Sequence, residues 1–153
     1  MSSTPDVSDL TAHLGYWLRY VSNHVSQGFA SKVETHGVTV AEWVVMRELL
    51  DMEDAAPSHL AAKLNMTRGA ITKLADRLIA KSLVTRKADP ADGRAQTLAL
   101  TAKARRLVPE LAALADRNDA EFFDHLTARD RAALLRILRG IVEKRGLKSL
   151  PVD

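Results

Sequence analysis

The chain has 153 residues, a net charge of +3, 46% hydrophobic residues and no cysteine. This length and composition favour one compact globular domain, and the lack of cysteine excludes disulfides, thiolate metal sites and thiol redox switches. No run of about 18 apolar residues occurs, so no membrane span is expected. The first residues, MSSTPDVSD, lack the basic-then-apolar order of a secretory signal, which makes a cytoplasmic protein the simplest interpretation.

Two helices are expected in the first third of the chain. The first runs from about Ser8 to Lys32, because apolar residues recur there at steps of three and four. These residues are Leu10, Leu14, Trp17, Leu18, Val21, Val25 and Phe29. The second begins at a capping box formed by Thr39 and Glu42 and ends near Asp51. Its apolar face consists of Trp43, Met46, Leu49 and Leu50.

Two shorter helices follow and are joined by a tight turn. Pro57 suits the first turn of the third helix, because its missing N–H is not needed there. Thr67 is a good N-cap for a fourth helix that continues to about Lys81. The apolar positions of the fourth helix are Ile71, Leu74, Ala75 and Leu78, and its opposite face carries Arg68, Thr72, Lys73 and Arg77. The pair has the pattern of a helix-turn-helix.

The remainder of the chain predicts a β-hairpin and two long helices. The strands are residues 83–87 and 95–100, and the turn formers at 89–93 lie between them. Thr101 is expected to cap a fifth helix to about Phe123, which is buried through Leu107, Val108, Leu111, Leu114 and Phe122. A second capping-box match at Thr127–Asp130 opens a sixth helix that ends by Gly146. Its inward positions are Leu134, Leu135, Leu138, Ile141 and Val142.

Positive charge is concentrated in the middle of the chain. Residues 57–106 contain eleven Lys and Arg against three acids, a net charge of +8, whereas the rest of the chain carries −5. A basic block over a compact helical motif is the electrostatic pattern expected of a protein that binds duplex DNA.

The fourth helix has the features of a helix that enters the major groove, where base edges carry distinct donor and acceptor patterns. Gly69 is small where close approach is needed. Arg68 and Lys73 are suited to donate to guanine edges or phosphate, and Thr72 to touch a base or a thymine methyl. Arg77 lies further along the helix and is better placed for backbone phosphate.

The hairpin and the helix start extend this surface. Arg94 at the hairpin tip is expected to enter the adjacent minor groove, where a narrow A·T-rich segment focuses negative potential. Arg86 is expected to contact phosphate, which adds affinity but no sequence information. The helix start at Thr67 adds an anion site. The predicted DNA-binding residues are Thr67, Arg68, Gly69, Thr72, Lys73, Arg77, Arg86 and Arg94.

Other interpretations of the same pattern remain open. Basic residues on a helix usually form only a solvated face, and many helix pairs imitate a helix-turn-helix; the following hairpin and the local charge favour DNA binding. A nonspecific architectural DNA binder would use the same basic face as a sequence-specific one. A helical protein–protein module without a DNA role is the third possibility.

The sequence resembles the MarR family of winged-helix transcription regulators over nearly the whole chain. The most specific part is the Asp-x-Arg of the wing followed by its Leu-x-Leu-Thr exit. The residues that carry the resemblance are Val38, Thr39, Trp43, Leu49, Leu60, Ala61, Leu64, Thr67, Thr72, Leu74, Asp76, Arg77, Leu78, Leu83, Val84, Asp89, Pro90, Asp92, Gly93, Arg94 and Leu98 to Thr101.

The resemblance implies a mainly α fold with a small β-hairpin, in which a winged helix-turn-helix is flanked by N- and C-terminal dimerisation helices. It implies a single domain over 1–153, with dimerisation helices at 8–36 and 102–146 and the DNA-binding region at 38–101. It also implies a homodimer. Family members usually act as repressors, and many release DNA when a small, often aromatic or phenolic anion binds. Two features depart from the family. The lack of cysteine excludes its peroxide-sensing mechanism, and Gly93 stands where relatives often carry a second basic residue.

A dimer is also expected from the residues themselves, because one chain offers the stripes of the terminal helices little to pack against. Two-fold symmetry would place two recognition helices about 34 Å apart, which predicts a pseudo-palindromic DNA site.

Little else in the sequence indicates chemistry. The five histidines are scattered without the H-x-x-x-H spacing of metal ligands, so neither a metal nor another cofactor is expected. No nucleophile elbow or phosphate loop occurs, and no catalytic residues are predicted. A small-molecule effector site is predicted where the first and second helices meet, from Trp17, Tyr20, His24, Trp43 and Arg47. The alternative is that Trp17 and Trp43 are ordinary core aromatics.

Overall fold

The protein was analysed as a computed structural model, which describes residues 5–89, 91 and 95–148. A 3₁₀ turn at Leu10–Ala12 precedes six helices and one hairpin. In chain order these are α1 (Leu14–Glu34), α2 (Val40–Leu50), α3 (Pro57–Leu64), α4 (Arg68–Ala80), β1 (Val84–Ala88), β2 (Gln96–Leu100), α5 (Ala102–Phe123) and α6 (Ala128–Arg145). The predicted fold class, mainly α with a small β-hairpin, is confirmed. Within the described ranges, every helix is too short or too polar to cross a membrane.

Threonine caps account for most helix starts. At α2 the predicted capping box is present, because the Glu42 amide donates to Thr39 Oγ1 and the Thr39 amide donates to Glu42 Oε1. At α4, α5 and α6 the capping threonine accepts from the amide three residues on, at 3.0, 3.1 and 3.1 Å. The second predicted capping box is only half formed, since the Asp130 amide donates to Thr127 Oγ1 but the Asp130 carboxylate does not accept from the Thr127 amide. Aspartate is one methylene shorter than the glutamate that usually reaches back.

The first helix begins later than predicted. His13 has an extended backbone (φ −93°, ψ 127°), which separates the 3₁₀ turn from α1. Leu10 and Leu14 are 71% and 83% exposed. Apolar spacing therefore predicted the helix but not its first residue, since Leu10 keeps the spacing and lies outside α1.

The core lies between α2, α3, α4, the hairpin and the first half of α5. Its largest fully buried side chains include Met46, Leu49, Leu60, Ile71, Leu78, Leu98 and Leu111. The strands pair antiparallel with Val84 opposite Leu100 and Arg86 opposite Leu98. Ala55 adds a single bridge to the same sheet through two bonds with Leu98, at 2.9 and 2.8 Å. Strand β2 therefore joins the hairpin to the segment that directly precedes the helix-turn-helix.

The sixth helix differs from the prediction in the single chain. None of its residues is buried, and the five positions expected to face inward are 36–47% exposed. Every large hydrophobic residue that is exposed in the described part of the chain lies within 7–21 or 134–147. The two ends of the chain thus present apolar surface that the intervening segment does not.

Candidate nucleic-acid interface

The helix-turn-helix is built by a short turn that needs a left-handed residue. Asn65 ends α3 with φ 52° and ψ 40°, a conformation that asparagine tolerates better than most residues. The Met66 amide then donates to the Ala61 carbonyl at 2.9 Å, which closes the end of α3. Thr67, the next residue, caps α4. Only Asn65 and Met66 therefore separate the last residue of α3 from the cap of α4.

The predicted division of α4 into two faces is confirmed. Ile71, Leu74, Ala75 and Leu78 are buried, and Arg68, Gly69, Thr72, Lys73 and Arg77 are exposed. Among the described residues, no carboxylate forms a salt bridge with Arg68, Lys73 or Arg77. Their charges are therefore available to a ligand without the breaking of an ion pair.

Gly69 has no evident function within the chain. A Cβ added there would meet nothing within 4 Å, so packing does not demand glycine at this helical position. Glycine in a helix costs up to about 1 kcal/mol relative to alanine. A surface that another molecule approaches closely would account for it.

The two threonines of this surface have part of their hydrogen-bonding capacity committed. Thr67 Oγ1 accepts from the Ala70 amide at 3.0 Å, which leaves its own O–H free to donate. Thr72 Oγ1 donates to the Arg68 carbonyl at 2.9 Å, which leaves its methyl group and oxygen lone pairs for a ligand. Thr67 is thus suited to phosphate, and Thr72 to a thymine methyl or a base donor.

Arg86 is placed differently from the other cations. It lies on β1 and pairs with Asp76 of α4, with 2.8 Å between Arg86 Nη2 and Asp76 Oδ1. The pair joins the hairpin to the exposed side of α4, beside a cavity of about 320 Å³. The cavity is lined by Pro57, Ile71, Thr72, Ala75, Asp76, Arg86, Gln96 and Leu98. Because the Asp76 carboxylate balances the guanidinium, a phosphate would have to compete for Arg86.

Two further lysines of the basic block are held in ion pairs. Lys63 pairs with Glu48 at 2.9 Å and Lys81 with Glu42 at 2.8 Å. Both glutamates lie outside 57–106, so a charge count along the sequence overstates the positive charge of the folded surface. The segment together with these two partners carries +6 rather than +8. Lys87, Arg105 and Arg106 are also exposed.

The hairpin tip lies outside the described residues. Gly93 and Arg94 are both among the residues left undescribed. The role predicted for Arg94 in the minor groove therefore stays a prediction. The two described strands pair with each other, and the Arg86–Asp76 ion pair joins β1 to α4.

Three residues of the predicted effector site lie together on α1. Trp17 and Tyr20 have ring centroids 6.4 Å apart, and Tyr20 stacks on His24 at 5.3 Å. Tyr16, which the sequence did not single out, packs edge-on against Trp17 at 5.3 Å. Trp17 and Tyr20 are 50% and 54% exposed, so this is a surface row of aromatic rings in the single chain.

The other two residues of that predicted site have partners of their own. Trp43 packs edge-on against Phe29 at 6.3 Å, at the margin of the core. Arg47 pairs with Asp51 at 2.9 Å. The predicted pocket therefore remains a prediction. The described residues also contain no group of three or more His, Cys, Asp or Glu arranged to hold a metal ion.

A helix-turn-helix with an adjoining two-stranded wing is the class of structure that these elements define. Residues 36–95 match the model of the MarR family. A putative transcriptional regulatory protein for the hcr operon of Thauera aromatica is 24% identical over 131 residues, which cover 85% of this chain and 79% of the relative.

Solved structures share the fold of the chain. A mutant of MarR from E. coli complexed with operator DNA has a TM-score of 0.77 at 24% identity, covering 88% of this chain and 99% of the other. A structure that describes the regulation of DNA binding of Bordetella bronchiseptica BpsR by 6-hydroxynicotinic acid has a TM-score of 0.76 at 24% identity, covering 89% and 97%. The resemblance is confirmed: the model of the MarR family matches residues 36–95, and the solved MarR structure shares the fold of this chain.

Proposed function

We propose that the protein is a sequence-specific DNA-binding transcription regulator that acts as a homodimer on a pseudo-palindromic operator. The observation that carries this proposal is the exposed side of α4, which holds three cations without a described ion-pair partner together with a glycine that packing does not require. Such a face fits the major groove. The residues proposed to contact DNA are Thr67, Arg68, Gly69, Thr72, Lys73, Arg77, Arg86 and Arg94. No enzymatic activity is proposed.

Exposed apolar surface supports the homodimer. The apolar residues within 7–21 and 134–147 are solvent-exposed in one chain, and exposed apolar side chains grouped in this way indicate an interaction site. A second copy offers the same two stripes, and two-fold pairing lets each meet its counterpart. Dimerisation through the terminal helices leaves both α4 faces available for neighbouring turns of DNA.

Repression and release by a small aromatic anion complete the proposal. The DNA binding of the structural relative BpsR is regulated by 6-hydroxynicotinic acid, a molecule of this class. Trp17, Tyr20, His24, Trp43 and Arg47 are the candidate effector residues. Titration of tryptophan fluorescence with benzoate-like ligands tests them. Unchanged fluorescence together with unchanged DNA binding would remove the effector from the proposal.

The main experiment selects binding sites from random duplex DNA and measures affinity for the enriched site against bulk DNA. A pseudo-palindromic site bound at least about 10³-fold more tightly than bulk DNA is expected. Lys73→Ala should cost about 1–3 kcal/mol and relax the preference at one base position. Arg77→Ala should weaken all sequences alike and lower the salt slope by about one.

Lys63→Ala is the matched control for these variants. It also removes a lysine from the basic segment, but one whose ammonium is paired with Glu48, so it should change DNA binding least. A specificity ratio near one would instead favour the second candidate, a nonspecific architectural binder that uses the same basic face.

A further inference from the structure

A lysine and a glutamate join the far end of the recognition helix to the junction of α1 and α2. Lys81 directly follows α4, and its ammonium donates to both carboxylate oxygens of Glu42, at 2.9 and 2.8 Å, and to the Gly37 carbonyl at 2.8 Å. All three donors of the ammonium are thereby used. Glu42 is 1% exposed, although the capping pattern alone would place it at a solvated helix start.

Both partners of Lys81 belong to parts of the chain that adjoin α1. Gly37 lies in the turn that ends α1, with φ 76°. Glu42 lies in the first turn of α2, where its Oε1 also accepts from the Thr39 amide at 3.1 Å. A single ammonium therefore connects three segments, namely the end of α1, the start of α2 and the end of α4.

This geometry fits positioning better than stability. Only one partner of this pair is buried, since the side chain of Glu42 is 1% exposed and that of Lys81 is 38% exposed. Such a pair adds little stability, because removing the carboxylate from water offsets much of the attraction between the two charges. What the pair does provide is direction, because three short bonds to one ammonium permit only a narrow range of angles between α4 and the α1–α2 junction.

We propose that Glu42 and Lys81 are positioning residues that set the angle of α4 relative to the dimerisation helices, and thereby the spacing between half-sites that the homodimer accepts. The inference rests on the proposed function. If α1 helps to hold the two copies together, a change in the angle between α1 and α4 is doubled across the two-fold axis. The dimer would then no longer present its two helices to DNA grooves at one fixed separation.

The chain contains a matched control pair. Lys63 of α3 and Glu48 of α2 also join the helix-turn-helix to α2, at 2.9 Å, but their side chains are 46% and 30% exposed. The Lys63 and Lys81 side chains are similarly exposed, but Lys63 has one ionic contact, to a glutamate that is itself partly exposed. The Lys63–Glu48 pair should therefore have little influence on geometry. Lys63→Met removes the same kind of charge as Lys81→Met without removing the three-way connection.

The experiment uses the full-length protein and a duplex library in which two copies of the selected half-site are separated by spacers of varied length. For Lys81→Met we expect the preferred spacing to broaden or shift by at least one base pair. Affinity at the original spacing should fall by on the order of 10-fold or more, because simultaneous engagement of both sites is impaired. Affinity for a single half-site should change no more than in Lys63→Met, which should keep the original spacing.

The outcomes separate this inference from the proposed function. If the unaltered protein enriches no half-site, the proposed function fails. If it enriches one and Lys81→Met keeps the same spacing profile, only the positioning role is overturned. Circular dichroism establishes that each variant is folded. Should Lys81→Met unfold, the double variant Glu42→Gln/Lys81→Met replaces it, since it leaves no unpaired buried charge and the glutamine amide can still complete the capping box with Thr39.

Discussion

The winged segment and the terminal stripes at residues 7–21 and 134–147 carry the same kind of apolar periodicity, yet within one chain only the winged segment buries it. In α4 the positions at helical spacing are at most 6% exposed, whereas those predicted for α6 are 36–47% exposed. The difference shows that an amphipathic pattern predicts which face of a helix is buried but not which element packs against that face. For α4 the cover is α2, α3 and the hairpin; for the terminal stripes a second copy is the proposed cover.

Placing a charge in the terminal stripe should have the largest effect. Leu138→Glu is expected to convert the dimer to monomers, because a carboxylate would be buried without a partner. Affinity for a two-half-site operator should then fall about 10²- to 10⁴-fold, since binding of the second half-site is no longer intramolecular. Sedimentation measures the mass of the protein in solution, and fluorescence anisotropy measures its affinity for the operator. Arg129→Glu, in the first turn of the same helix, is the control; a dimer that survives Leu138→Glu would show that this stripe is not the interface.

Shortening a side chain inside the winged segment should act on stability instead. Leu78 is 0% exposed, so Leu78→Ala should lower the free energy of unfolding by about 2–5 kcal/mol through lost burial and the resulting cavity. Urea unfolding measures the change. Leu138→Ala is the comparison, and it should raise the dissociation constant of the dimer more than Leu78→Ala does. Equal effects of both variants on dissociation would erase the distinction between the two regions.

Replacing each of two helical glycines by alanine should change stability by a smaller amount and in opposite directions. A Cβ at Gly28 would lie 2.8 Å from Asn118 Oδ1 and 3.2 Å from Phe122 Cε2, and Asn118 is held by a bond to the Val25 carbonyl at 3.0 Å. Gly28→Ala should therefore destabilise the protein by about 1–3 kcal/mol. Gly69→Ala should stabilise it by up to about 1 kcal/mol while weakening DNA binding. Thermal unfolding and DNA titration check both; Gly69→Ala with full DNA affinity would argue against close approach at that position.

The smallest effect is expected at the junction between α4 and the hairpin. Ser82 has φ 61°, a left-handed conformation that is costly for a residue with a Cβ. Ser82→Gly should raise the free energy of unfolding by less than about 1 kcal/mol, because relief of this strain is partly offset by the greater chain entropy of glycine. Asn65→Gly is the control at φ 52°, where asparagine already tolerates the conformation. A lower melting temperature for Ser82→Gly would contradict this account.

Most elements were predictable because their signals are local. The caps at Thr39, Thr67, Thr101 and Thr127 fall where the helices begin, since a capping hydroxyl acts within three residues of itself. Pro57 at the start of α3 is equally local. The exposed and buried faces of α4 followed from its period. The 3₁₀ turn before α1 was not predicted, because the apolar spacing continues from Leu10 to Leu14 without a local signal for a break.

The ion pairs of the candidate site could not be predicted in the same way. Lys81 and Glu42 are 39 residues apart, and Arg86 and Asp76 meet only because the hairpin folds back on α4. A count of charges along the chain cannot distinguish a lysine that is free to meet phosphate from one whose donors are all used. Sequence reasoning therefore located the cationic surface and overestimated how many of its charges are available.

The sequence alone determined three features of this protein, because each depends on interactions among neighbouring residues. These are the order of helices and strands, the start of each capped helix and the amphipathic face of α4. The tertiary structure decided the rest. It buried Glu42, paired Arg86 with Asp76 and left the stripes of the terminal segments exposed. These outcomes depend on which distant surfaces meet, and the meeting of distant surfaces is settled only when the whole chain packs.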